Sequence, residues 1–161
     1  TIVGAGGAAT AIQVQAALDG VKEISIFNRK DAFYERAQKT VKDINEKTNC
    51  KATLYDLEDL DKLKEEIASS YIFTNATGMG MKPLEGQTYI PDKSFLRKDL
   101  IVTDVVYAPA ETALLKMAKE VGCKTLNGFP MMLFQGAAAF KLWTNQNMPI
   151  EHVKEVMGIQ Y

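Results

Sequence analysis

The 161-residue chain has 47% hydrophobic and 24% charged residues and a formal net charge of −1, the size and balance of one globular domain. So small a charge gives no electrostatic case for nucleic acid or an anionic membrane. No apolar run approaches the ~20 residues of a membrane helix, and the first residues do not read as a signal peptide.

Thr1-Ile2-Val3 reads as the end of a buried strand, and Gly4-Ala5-Gly6-Gly7-Ala8-Ala9 as a turn opening a helix. The spacing is G-x-G-x-x-A. Gly4 allows a sharp turn, Gly6 leaves room for a pyrophosphate, and Ala9 lets the helix pack close to the strand. Free N–H groups and the helix dipole would then face the phosphates. The same spacing also suits a strand-to-helix turn that binds nothing. A strand of three residues is shorter than the usual ~5–6, so the chain is expected to be a fragment whose upstream part is missing.

A helix is expected over residues 11–18, with Ile12 and Ala16 inward and Val14 and Leu18 as further candidates, ended by Asp19-Gly20. A second strand follows over residues 23–28. A long helix from about Ala32 to Thr48 has an apolar stripe at Phe33, Ala37, Val41 and Ile44. Residues 51–55 are a third strand. Residues 57–69 are an amphipathic helix with Leu60, Leu63 and Ile67 inward. A fourth strand, 71–75, is apolar enough to be buried on both faces. The loop from Ala76 to about Pro91 is long enough to be functional. A fifth strand (100–106), a helix (112–120) closed by Gly122, a sixth strand (124–126) and helices over 131–143 and 150–157 complete the chain. Cys50 and Cys123 lie far apart and in no metal-ligand cluster, so they read as reduced, packed side chains of a cytoplasmic protein without a metal site. His152, the only histidine, reads as solvated.

Alternating strands and helices imply a doubly wound parallel α/β sheet, order 3-2-1-4-5-6. Ligands bind such sheets at the carboxyl ends of the strands, where the order reverses. Past strand two comes Asn28-Arg29-Lys30-Asp31. An acid there suits the ribose hydroxyls of NAD and cations suit the 2′-phosphate of NADP; the alternative is a charged surface turn. Past strand four comes Asn75-Ala76-Thr77-Gly78-Met79-Gly80-Met81. Asn75 and Thr77 can dock a ribose or the nicotinamide side of the cofactor, unless this is only a surface loop. Past strands five and six come Asp104-Val105-Val106-Tyr107 and Asn127-Gly128-Phe129-Pro130. Gln135 falls on the helical stripe of Met132, Gly136, Ala139, Phe140 and Trp143. An amide on that face needs a partner, either a backbone carbonyl or a ligand.

In order along the chain, Gly4 to Ala8, Asn28-Arg29, Asn75-Ala76-Thr77 with Gly80-Met81, Asp104 to Tyr107, and Asn127-Gly128 through Gln135 to Phe140 and Trp143 resemble the C-terminal NAD(P)-binding domain of the shikimate dehydrogenase family. The turn Asn28 to Asp31 is most similar to the quinate/shikimate dehydrogenase branch. Pro130 departs from the family's usual glycine. The resemblance implies a Rossmann-like domain over residues 1–161, and hydride transfer between a nicotinamide and the ring C3 alcohol or ketone of shikimate or quinate. By the same analogy Gly4, Ala5, Gly6, Gly7 and Ala8 hold pyrophosphate, and Asn28, Arg29 and Asp31 hold the adenosine ribose beside Lys30. Val105 and Gly128 lie near nicotinamide, and Tyr107 and Gln135 reach the substrate. The expected cofactor is NAD, with NADP also accepted. The family's catalytic lysine and aspartate belong to an N-terminal substrate domain absent from this chain. The helix at about 150–158 is expected to pack on that domain, and a homodimer of the full-length protein fits the resemblance. Methylenetetrahydrofolate dehydrogenases and glutamyl-tRNA reductases share the sheet, but Tyr107 and Gln135 argue against them. A methyltransferase would carry an acid where Asn28 stands. A non-catalytic dinucleotide-binding module remains an alternative.

Overall fold

In the first strand, β1 (Ile2–Val3), two successive side chains point to opposite faces, and each seeds a separate core in the computed structural model, which describes residues 1–158. Ile2 joins Ile24, Ile26, Ile44 and Ala52 on one face. Val3 joins Phe27, Leu63, Ile67, Phe73 and Val102 on the other. Full burial of side chains such as Phe27 and Phe73 is worth about 1.5–3 kcal/mol each.

The strands β2 (Glu23–Asn28), β3 (Lys51–Asp56), β4 (Ile72–Asn75), β5 (Ile101–Asp104) and β6 (Lys124–Leu126) complete the sheet. All pairings are parallel, and the order is β3-β2-β1-β4-β5-β6. Between them run α1 (Gly7–Leu18), α2 (Tyr34–Lys47), α3 (Leu60–Ser69) and α4 (Ala113–Val121); α5 (Phe129–Thr144) and α6 (Ile150–Met157) follow β6. The α/β architecture and strand order are those expected from the alternating pattern. The last three residues of the expected 1–161 domain lie outside the described residues. Among the described residues no helix is long and apolar enough to cross a membrane, and no group of three or more His, Cys, Asp or Glu could hold a metal ion.

Several local expectations shift, each for a nameable reason. Helix α1 begins at Gly7 and buries Ala9, Gln13 and Ala17; Val14 and Leu18 face outward. Helix α3 begins at Leu60, because the Asp59 carboxylate accepts from Lys62 N and caps it there. Leu57 stays behind as a core residue and Leu60 is exposed. Strand β4 is buried only from Phe73 on, with Tyr71 87% exposed. Strand β5 stops at Asp104, whose side chain accepts from Val106 N and turns the chain. Helix α5 begins at Phe129, with Pro130 in its first turn, where no N–H is needed. Only Leu133 of α5 is buried and Trp143 is 84% exposed, so the expected inward stripe is only partly covered, with Met132, Ala139 and Phe140 half-buried and Gly136 exposed. Both cysteines are free and buried, and burial pushes both thiol pKa values up.

Candidate functional site

The turn after β1 is fixed by contacts to its backbone. Gly4 has φ +120, and a Cβ there would lie 2.7 Å from the Ala76 carbonyl oxygen. Gly4 N donates to Phe27 O at 2.8 Å. The fully buried Gln13 donates from Nε2 to Gly4 O at 2.9 Å. Only glycine meets both the steric and the dihedral demand at position 4.

Beyond that clamp the space opens. A Cβ at Gly6 or Gly7 would meet nothing within 4 Å. Gly6 caps α1 without a side-chain hydrogen bond, and the first turn carries no acid. Uncapped N–H groups at the positive end of a helix dipole make an anion cradle. These residues fit the pyrophosphate of a dinucleotide.

A cleft of about 440 Å³ extends from this cradle, within the range of small-molecule sites. It lies where the strand order reverses between β1 and β4. Its walls include Gly4 to Ala8, Asn28, Arg29 and Asp31, Ala76 to Gly78, and Val105 to Ala108. Thus Gly4, Ala5, Gly6, Gly7, Ala8, Asn28, Arg29, Asp31, Thr77, Val105 and Tyr107 come together. Phe33, Leu57, Met81 and Tyr89 also line it. Phe33 carries the wrong signal in sequence, since it fits the α2 stripe yet lies half-exposed at that helix's start. Tyr89 had none beyond being an aromatic residue in a long loop.

At the end of β2 the charges are sorted. Asp31 Oδ1 accepts from Asn28 Nδ2 at 3.1 Å and from Phe33 N at 2.9 Å. Lys30 is outside the lining and pairs with Asp56 at 2.9 Å. That hydrogen bond raises the Lys30 pKa and lowers that of Asp56. Arg29 Nη2 donates to the Tyr89 hydroxyl, which raises the guanidinium's pKa further.

Three other candidates lie outside the lining. Asn75 is buried; it donates from Nδ2 to Met79 O and Asp104 Oδ1, both at 3.0 Å, and its Oδ1 accepts from Thr77. It therefore shapes the loop that carries Thr77. Gly128 packs against β5: a Cβ there would lie 2.0 Å from Val105 O. Gln135 is exposed on α5, so the backbone carbonyl considered as its partner is not needed. Tyr107 packs on Phe129, ring centroids 5.9 Å apart, at the start of the same helix.

A family model described as the shikimate 5′-dehydrogenase C-terminal domain matches residues 128–157. The shikimate dehydrogenase (NADP(+)) of Listeria innocua is 64% identical over 157 residues, covering 98% of this chain and 54% of the relative. The crystal structure of shikimate 5-dehydrogenase from Listeria monocytogenes in complex with shikimate and NAD superposes with a TM-score of 0.94 at 63% identity, over 97% of this chain and 54% of that one. The chain is similar over nearly its whole length to these shikimate dehydrogenases. Quinate dehydrogenase from Corynebacterium glutamicum, solved in complex with NAD, matches with a TM-score of 0.83 at 34% identity, over 97% of this chain and 53% of that one. The chain spans about half the length of the family members it matches. The Listeria innocua enzyme is named for NADP(+), whereas the Listeria monocytogenes structure holds NAD.

Proposed function

We propose that this chain is the NAD(P)-binding domain of a shikimate or quinate 3-dehydrogenase. The observation that carries the reading is one cleft joining the glycine cradle, the Asn28–Asp31 turn and the Val105–Tyr107 segment. When bound, the nicotinamide supplies or accepts the hydride. The chain's own residues would do the holding. The open backbone at Gly6 and Gly7 takes the pyrophosphate, Asp31 faces the adenosine ribose, and Val105 with Tyr107 borders the nicotinamide and substrate end. Gly128 keeps α5 against Val105, and Gln135, exposed on α5, would reach the substrate. Asn75 acts through Thr77.

NAD is the preferred cofactor and NADP is accepted. Asp31 lines the cleft and would repel a 2′-phosphate, while Lys30 is held outside it by Asp56. The general acid–base pair lies in an N-terminal substrate domain. Leu142 and Trp143 of α5 and Val156 and Met157 of α6, all exposed, are the apolar side chains that this domain would cover. Two free cysteines go with a cytoplasmic protein.

Calorimetric titration of the 161-residue chain with NAD+ and NADP+, beside an assay of shikimate and quinate oxidation, tests this. Binding without turnover is expected. Absence of binding to either dinucleotide overturns the reading, and turnover by the chain alone overturns the assignment of the acid–base pair.

A further inference from the structure

The loop between β4 and β5 returns Tyr89 to the turn after β2. The Tyr89 ring is partly buried and packs against the core beneath α3 and α4, so packing, not solvent, sets its position. Its outer edge borders the main cleft and a smaller recess of about 210 Å³, shared with Arg29, Leu57, Glu58, Leu60 and Met79. Arg29 is tethered to it twice: Nη2 donates to the hydroxyl at 3.3 Å, and Cζ lies 5.7 Å from the ring centroid.

The two cations of this turn are therefore held by different chemistry. Lys30 is paired with a carboxylate. Arg29 is held by a neutral phenol, which fixes the guanidinium but leaves its charge in place. A 2′-phosphate binds best through the planar fork of a guanidinium. To offer that fork, Arg29 would have to give up the Tyr89 contact. While it is tethered, the group that the turn presents to the ribose is Asp31.

We propose that Tyr89 is a specificity-determining position for the cofactor: it pins Arg29 as a wall at the adenine end of the cleft and so keeps it from the ribose 2′ position. This rests on the dinucleotide reading above.

The test is the ratio of NAD+ to NADP+ affinity, measured by calorimetry on the chain for the unchanged sequence, Tyr89→Phe, Arg29→Ala and the double variant. Thermal denaturation of each accompanies it. Tyr89→Phe is expected to move the ratio towards NADP+ by roughly three- to tenfold, and to leave it unmoved when Arg29 is already alanine. A loss of affinity that is equal for both cofactors would mark Tyr89 as merely structural and overturn the proposal. An equal shift with and without Arg29 would overturn it too. If Tyr89→Phe does not fold, Arg29→Lys reads the same tether, since lysine keeps the charge and loses the planar contact; an unmoved ratio there also overturns it. Failure of the unchanged chain to bind either dinucleotide overturns the functional reading itself, a distinct result.

Discussion

Asn75 Nδ2 donates to Asp104 Oδ1 at 3.0 Å across the last register pair of β4 and β5. The same carboxylate accepts from Val106 N at 3.0 Å and from Thr112 Oγ1 at 2.7 Å. One buried side chain thus ties the Thr77 loop, the Val105–Tyr107 segment and the cap of α4 together. Burial is the largest influence on Asp104 and raises its pKa; the three donors act the other way.

A carboxyl with a raised folded-state pKa binds its proton more tightly folded than unfolded. Its contribution to stability is full below the ordinary carboxylate value and is lost as pH rises through the raised value. Asp104→Asn should remove that decline, so that stability from urea melts no longer falls as pH rises through the raised value. Asp104→Ala leaves buried donors unpaired and should cost about 1–3 kcal/mol at neutral pH. An Asp104→Asn profile that keeps the decline would assign it to another group.

The glycines of the turn should separate stability from binding. Gly4→Ala meets both a left-handed φ and the Ala76 carbonyl, and should cost at least about 1–3 kcal/mol. Gly6 has φ −72 and open space around it. Gly6→Ala should keep stability within about 0.5 kcal/mol and weaken dinucleotide binding at least about tenfold, about 1.4 kcal/mol. Thermal melts and calorimetry on the two variants check this; equal melting losses would refute it.

The three charged residues after β2, Arg29, Lys30 and Asp31, should differ in their effect on cofactor choice. Asp31→Ala should move the affinity ratio towards NADP+, and Arg29→Ala should move it towards NAD+ only in the Tyr89→Phe background, where the guanidinium is free of its tether. Lys30→Ala should change it by less than about twofold, because its exposed pairing with Asp56 lies outside the cleft. Titrations with both dinucleotides decide it, and a large effect of Lys30→Ala would show that the lysine swings into the site when ligand binds.

Gln135 is exposed, so Gln135→Leu should leave melting and dinucleotide affinity unchanged. In a protein that joins this chain to its substrate domain, it should lower kcat/KM for shikimate or quinate by about 1–3 kcal/mol, as one lost polar contact does. Unchanged kcat/KM would remove Gln135 from the substrate site.

The sequence alone determined the parallel sheet, its order and the glycine turn between β1 and α1. Glycine spacing and the periodicity of apolar residues are local, and the G-x-G-x-x-A spacing of Gly4 to Ala9 is legible within six residues, while the steric demand on Gly4 comes from Ala76 beyond β4. The tertiary structure decided which polar groups reach the cleft. Lys30 is withdrawn because the β2–β3 register sets Asn28 opposite Asp56. Asn75 serves the loop because β5 brings Asp104 beside it. Arg29 is tethered because the long loop brings Tyr89 back across 60 positions of chain. A hydrogen bond needs a partner within about 3.5 Å, and for these three residues that partner comes from a segment 26 or more positions away.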